Sequence, residues 1–340
     1  MIIRKMTKTF SLILAVLLFF SCSAIDEKWD GCVRNYKVKV VYDYNMLRAD
    51  AFTSQVQSIC FYIFDENDRL VKEELRKGPF FSNEFSFDLP DGKYRFACVA
   101  GDTVDWDEMS RHWVMPVIHN GFSAPELSVS LRGVSDGGVM SDNRLPSLWY
   151  ASPVSPNNSD KMLHVNGYGT DEVVLSLIRN TNNIRLIVQK NGEQNLKSED
   201  FVCELKDAAN SYTDYADYVT DKGRFSYMPY FQKGGVLHNI GGNLSPSVLI
   251  SEWDVNRLMK DSRMRLCVKR KRNETPVFDM DLIPLLLMLR HEKCAGMSDQ
   301  EFLDREFEYE FYLILDDSGE WMQLIVTVKE WVIRLNRMEL

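Results

Sequence analysis

Apolar and polar residues alternate along most of this chain with a period of two, in short runs separated by turn-forming residues. That period marks half-buried strands, whereas a helix would repeat near 3.6. Residues 36–44 (YKVKVVYDY) alternate in part, and 58–64 (SICFYIF) predict a buried strand. Asp65-Glu66-Asn67-Asp68 predicts a turn, with a strand resuming over 69–74. Residues 85–89 alternate and run into Pro90-Asp91-Gly92, a hairpin signal that leads to a strand over 93–100. Residues 126–132 alternate again. A loop-rich stretch over 133–168 follows, and a strand over 172–178 closes a first β-sandwich spanning 36–178. A second series, beginning with 183–189 (NIRLIVQ), fills 179–340 with strands over 201–205, 224–227, 248–251, 264–269, 308–315 and 324–328. Two short helices interrupt it. One starts at Leu282, capped by Asp281, with Pro284 in its first turn. The other, 299–305, opens on a capping box of Ser298 and Glu301. The pattern predicts a mainly β protein of two sandwiches with a few short helices; it is not a βαβ fold.

The first 21 residues break this pattern. Arg4, Lys5 and Lys8 precede an almost unbroken apolar run over 10–20, which is short for a bilayer span but suits a signal peptide. Ser21 and Cys22 follow, a small residue directly before a cysteine, which is the lipoprotein cleavage pattern. Phe19 stands where Leu is usual. The expectation is cleavage after Ser21, lipidation of Cys22, and a tether over 22–35. Two or more acyl chains hold a protein stably on a membrane, at about 0.8 kcal/mol per buried methylene. The best later apolar stretch, 282–289, is short and contains Pro284.

Charge and chemistry narrow the function. The precursor carries −9, and losing three basic residues with the signal leaves about −12. Nucleic-acid binding, which needs Lys and Arg against phosphates, is disfavoured. Beyond Cys22 lie Cys32, Cys60, Cys98, Cys203, Cys267 and Cys294; an exported compartment permits disulfides among them, in any of 15 full pairings. Cys60 and Cys98 fall inside apolar runs and read equally as buried thiols. No CxxC, HxH or HExxH occurs, so neither a metal nor another cofactor is expected. Gly133-Val134-Ser135-Asp136-Gly137 matches a nucleophile pattern, but the residues after it form no helix, and the expectation is a loop and no enzyme. Asp65, Asn67 and Asp68 faintly resemble a calcium loop that Arg69 and Leu70 spoil. Asp279 and Asp281 are a candidate carboxylate pair. Tyr212, Tyr215 and Tyr218, or Trp113 and Trp149, are candidate platforms for a glycan.

A set of phrases in fixed order carries a family resemblance. Asp30-Gly31-Cys32, then Val40-Val41-Tyr42-Asp43-Tyr44-Asn45-Met46 and Ala49-Asp50-Ala51-Phe52, resemble the fimbrium-anchoring subunits of Bacteroidales-type bacteria. Phe61-Tyr62-Ile63-Phe64-Asp65, Leu89-Pro90-Asp91-Gly92-Lys93-Tyr94 and Leu148-Trp149-Tyr150 continue the likeness. So do Arg179-Asn180-Thr181-Asn182-Asn183-Ile184-Arg185, Asn256-Arg257-Leu258-Met259, Phe302-Leu303-Asp304-Arg305-Glu306 and Trp331-Val332-Ile333-Arg334-Leu335. The chain departs from the pattern at Lys329-Glu330, where Asn-Gly is common, and at Cys98-Val99-Ala100, where an aromatic is common. The resemblance implies two transthyretin-like sandwiches in an outer-membrane lipoprotein. Such a protein holds the base of a fimbrium, limits its length, and binds a shaft subunit, with an exposed sheet edge available for strand addition. Shaft subunits of this kind lose a prosegment after an arginine, and Arg34 is the only arginine between Cys22 and the first strand. Asp26, Glu27 and Asp30 would then lie in the tether, as an export signal or as a solvated linker.

Overall fold

The computed structural model describes residues 35–133, 137–140, 144–167, 169–190, 196–209, 212–215, 223–236, 247–329 and 331–337. In chain order the first elements are β1 (Asn35–Val41), α1 (Phe52–Gln55), β2 (Ser58–Phe64), β3 (Leu70–Lys77), β4 (Glu84–Phe85), β5 (Gly92–Gly101), α2 (Trp106–His112), β6 (Trp113–Val114), β7 (Ser128–Leu131), β8 (Gly138–Met140), β9 (Leu148–Ala151), β10 (Leu163–Val165), β11 (Thr170–Ser176) and β12 (Ile178–Arg179). Then come β13 (Thr181–Lys190), β14 (Phe201–Ala209), β15 (Tyr212–Asp214), β16 (Arg224–Tyr227), β17 (Phe231–Val236), β18 (Ser247–Asn256), β19 (Arg265–Arg270), β20 (Pro276–Asp281), α3 (Leu282–Lys293), α4 (Asp299–Arg305), β21 (Glu308–Leu315), β22 (Trp321–Val328) and β23 (Trp331–Asn336).

The earlier strands form two facing sheets, β11-β1-β4 and β12-β9-β5-β2-β3, with β10 added at the start of β5. Val38, Val40 and Tyr42 from β1 and the residues after it meet Ile59, Phe61, Ile63, Phe96 and Cys98 between them. The opposite side chains of the same central strands, Cys60, Tyr62, Phe64, Ala97 and Val99, are buried too, against Met109 of α2 and Trp113, Leu127 and Val129. Burial on both faces explains why SICFYIF has no polar alternation.

The later strands form a second sandwich, β17-β18-β13-β21-β22-β23 against β20-β19-β14-β16-β8. Leu186, Val188, Leu249, Phe311, Leu313 and Val326 face Leu205, Phe225, Leu266 and Val268, and α3 covers the core with Leu282, Leu285, Leu286 and Leu289. Strands from the middle of the chain reach into later ones: β8 pairs with β16, and β7 with β15.

Several expectations need correction. Residues 85–89 do not return as a hairpin with β5. β4 pairs instead with β1, and β10 takes the place beside the start of β5. Phe87 explains the change: it packs on Phe61 (4.9 Å) and Phe96 (5.4 Å), so the segment crosses the core and aromatic burial overrides the local turn signal. Asp281 precedes α3 without capping it, because its carboxylate bonds Arg265 at 2.5 Å. At α4 only half of the box forms: Ser298 accepts from Glu301 N (3.1 Å), while the Glu301 carboxylate takes Arg305 (2.8 Å). Helix α2, with Asp105 as its cap, is absent from the sequence reading.

The cysteine question has a geometric answer. Cys60, Cys98, Cys203, Cys267 and Cys294 are all free thiols. Cys60 lies opposite Val99 and Phe61 opposite Cys98, so the register is off by one and the two thiols enter different cores. Cys203 pairs with Val268, which places the neighbouring Cys267 on the other face of that sheet in the same way. Cys32 lies outside the described residues.

Candidate functional site: a buried polar seam and the sheet edges

Five of the phrases that carried the family resemblance, those holding Asn45, Trp149, Arg179, Arg257 and Asp304, meet on a seam between the two sandwiches. Arg257, just past the end of β18, and Asp304 in α4 form a two-pronged ion pair, Nε–Oδ1 2.8 Å and Nη2–Oδ2 2.9 Å, with side chains only 3% and 1% exposed. Gln300 Nε2 donates to the same Asp304 Oδ1 at 2.9 Å. The next residue, Arg305, donates to the Asn45 carbonyl (3.2 Å) and stacks over the Tyr44 ring (4.2 Å). A loop of the first sandwich is thereby clamped to a helix of the second. Arg179, at the crossing from β12 to β13, donates to Ser147 Oγ (2.9 Å) and the Thr181 carbonyl (3.1 Å), and its guanidinium lies 3.9 Å from the Phe307 ring centre. Asp254 accepts from Leu145 N (2.9 Å) and Asn183 Nδ2 (2.5 Å), and burial pushes its carboxyl above the usual range. Burial does the same to Glu306, whose Oε1 accepts from Phe307 N (2.9 Å) and Glu308 N (3.0 Å). Charges removed from water this fully need partners; Glu306 Oε2 accepts no hydrogen bond among the described residues and has Lys329 Nζ at 3.8 Å.

The sheet edges differ in what they leave open. β3 carries Lys72, Glu73, Glu74, Arg76 and Lys77, with Lys72–Glu74 ion-paired at 2.7 Å, a charged edge that resists pairing. β11 is stitched by side chains: Asn158 Oδ1 accepts from Ser176 N (2.6 Å), Asn158 Nδ2 returns to the Ser176 carbonyl (3.0 Å), and Lys161 Nζ takes the Glu172 carbonyl (2.5 Å). Residues 196–198 press on β17 so closely that a Cβ on Gly234 would come 2.2 Å from the Leu196 carbonyl oxygen. β4 is two residues long. On β20, Asp279 is drawn into pairs with Lys206 (2.5 Å) and Arg265 (2.8 Å), so Asp279 and Asp281 serve sheet ion pairs and not paired acid–base work. β23 differs from all of these: six residues with Arg334 as its one charge, β22 as its one neighbour among the described strands, and Val332 37% exposed.

Ser21 and Cys22 lie outside the described residues, as do Ser135 and Tyr218. After Gly137 the chain enters strand β8, where a nucleophile elbow would need a helix. Asp65 closes a hairpin turn, accepting from Asn67 N (2.8 Å) and Arg69 N (3.0 Å). Trp113 and Trp149 are each 1% exposed and cannot serve as glycan platforms. Tyr215 packs its ring against Phe64 (5.6 Å). Arg257 and Asp304 stood within two quoted phrases, yet nothing in either phrase indicated that they pair across 47 residues.

Double-sheet architecture, a polar seam binding two sandwiches, and a low-charge edge define a mostly-β protein of paired sandwiches. The chain belongs to the family of fimbrillin-A associated anchor proteins Mfa1 and Mfa2, whose family model matches residues 29–337. Membership makes it a fimbrium-associated protein of the cell surface. Among solved structures, it is similar to a candidate adhesin from Bacteroides thetaiotaomicron (25% identity, TM-score 0.74, covering 90% of this chain and 99% of that one). It is similar also to a candidate polysaccharide-binding protein of the same organism (25%, TM-score 0.69, 91% and 100%). The fold, at 15% identity, is shared with the fimbrial anchor protein Mfa2 from Porphyromonas gingivalis (TM-score 0.60, 89% and 99%). No curated protein sequence matches the chain.

Proposed function

We propose that this chain is an outer-membrane lipoprotein, cleaved after Ser21 and lipidated on Cys22, that holds the base of a fimbrium on the cell and limits its length. The observation that carries the reading is the family match over 29–337 directly behind a Ser21-Cys22 lipoprotein signal. The role is binding, without catalysis, and the partner is a fimbrial shaft subunit. Its docking site is the edge of β23, where an incoming strand would meet one charge, against the blunted or stitched alternatives on β3 and β11. A division into sandwiches over 36–178 and 179–340 belongs to the same proposal, with β8 and β15 reaching across it.

The test is Cys22→Ala. Cells carrying it should shed long fimbriae into the medium; fimbriae kept on the cell at normal length refute the anchor role. Mass spectrometry of the surface protein separates the neighbouring possibility. A mature N-terminus beyond Arg34 would mean a polymerising subunit and no anchor. Ser135→Ala should leave fimbrial retention unchanged.

A further inference from the structure

The outer face of the sheet β17-β18-β13-β21-β22-β23 carries an open trough of about 440 Å³, bordered by Arg144, Tyr230, Asn183, Glu308, Thr327 and Lys329. Its floor is one row of side chains set by strand register. Glu252 of β18 lies opposite Arg185 of β13, and Arg185 opposite Glu310 of β21. The row is tied together from both ends. Tyr230 Oη donates to Glu252 Oε2 (3.0 Å), and Arg185 Nε donates to Glu252 Oε1 (2.8 Å). Arg185 Nη1 reaches Glu310 Oε2 (3.5 Å), and Tyr312 Oη donates to Glu310 Oε1. Every member is therefore held in place before any ligand arrives, which removes much of the ordering cost of binding.

Three properties decide what such a trough takes. The lining holds three cations, Arg144, Arg185 and Lys329, and three carboxylates, Glu252, Glu308 and Glu310, so its formal charge is zero. A phosphate, a sulfate or a metal ion finds no excess charge there, and no group of metal-ligating side chains occurs among the described residues. Second, a carboxylate offers about four lone-pair sites and an arginine five N–H donors, so partners are left over after the internal bonds are made. Neighbouring strands lie about 4.8 Å apart. Acceptor, donor and acceptor therefore follow one another at a spacing close to the length of one sugar ring. Third, the two tyrosines keep their protons. Burial pushes Tyr230 up to about 12, and the hydrogen bond to Glu310, followed by burial, does the same for Tyr312.

We infer that this trough is a binding site for a neutral, hydroxyl-rich ligand, a short oligosaccharide, held by Glu252, Arg185 and Glu310 with the Tyr230 ring at one side. Its size falls within the roughly 300–1,000 Å³ of ordinary ligand sites. The site does not depend on the anchor reading.

The test titrates the detergent-solubilised mature chain with neutral trisaccharides (maltotriose, laminaritriose, mannotriose), with a sulfated heparin disaccharide and a chitosan trimer as charged controls, read by calorimetry. At least one neutral trisaccharide should bind more tightly than both charged sugars. Glu252→Gln with Glu310→Gln, nearly isosteric and on an exposed face, should weaken that binding at least tenfold with the thermal midpoint retained; Tyr230→Ala should weaken it independently. No neutral trisaccharide binding, stronger binding of a charged sugar, or full affinity in the double variant overturns the inference. The double variant should still keep fimbriae on the cell, so loss of the sugar site and loss of the anchor role are read separately.

Discussion

Asp304→Ala is the sharpest probe of the seam. The substitution removes both oxygens that Arg257 contacts, at 2.8 and 2.9 Å, and leaves a guanidinium that is only 3% exposed without its counter-charge. Breaking one side of a buried pair costs about 3–5 kcal/mol, because the remaining charge stays out of water without the carboxylate that balances it. Gln300 loses an acceptor as well, which adds about 1 kcal/mol. Against a total stability of roughly 5–15 kcal/mol, the variant should unfold at clearly lower urea, followed by the fluorescence of the buried Trp149 and Trp253. The pair itself is not expected to be a large net stabiliser. Replacing both members, with Arg257→Met and Asp304→Leu together, should recover most of the loss, since the buried charges leave together. A loss under about 1 kcal/mol in Asp304→Ala, or a double variant no better than the single, would refute this account of the seam.

Glu306 gives a pH test. Burial raises its folded pKa, so between the unfolded value near 4.5 and the raised one the folded chain holds the extra proton. Stability therefore falls as pH rises through that window. Glu306→Gln should be more stable than the native chain at pH 7, and the advantage should shrink at pH 4 in thermal unfolding. Glu274 sits at φ +54° in an exposed turn, a conformation that costs about 1–2 kcal/mol for most residues but less for Asn. Glu274→Asn should raise stability by about 0.5 kcal/mol in denaturant titration. Burial pushes the Cys60 and Cys203 thiols up to about 12 and raises Cys98 as well. Ellman's reagent at pH 8 should reach none of the three until the chain unfolds, whereas the half-buried Cys294 should react in the native state.

Some of this molecule followed from local order alone. Strand β21 announced itself in the period of its side chains, and β2 in a short unbroken apolar run buried on both faces. Helix α4 likewise began where Ser298 supplies a side-chain oxygen to a backbone N–H three residues on. The Ser21-Cys22 pattern on which the proposed lipoprotein reading rests is also a matter of local order, and so were the ordered phrases that marked the family over 29–337. Other features were decided only by which strand lies beside which. The residues 85–89 read as a hairpin until Phe87 found two aromatic neighbours across the core. Cys60 and Cys98 were candidates for a disulfide until a register off by one sent them into different cores. Arg257 and Asp304, or Arg185 with Glu252 and Glu310, are ordinary surface letters in one dimension. Their pairing spans 47 to 125 residues of chain, and a contact of that range exists only after long-range strand pairing has fixed the sheets. The chain order thus determined the strand-forming runs, the charge and the phrases that mark the family. The tertiary structure decided the partners, because burial and hydrogen bonding are properties of neighbours in space.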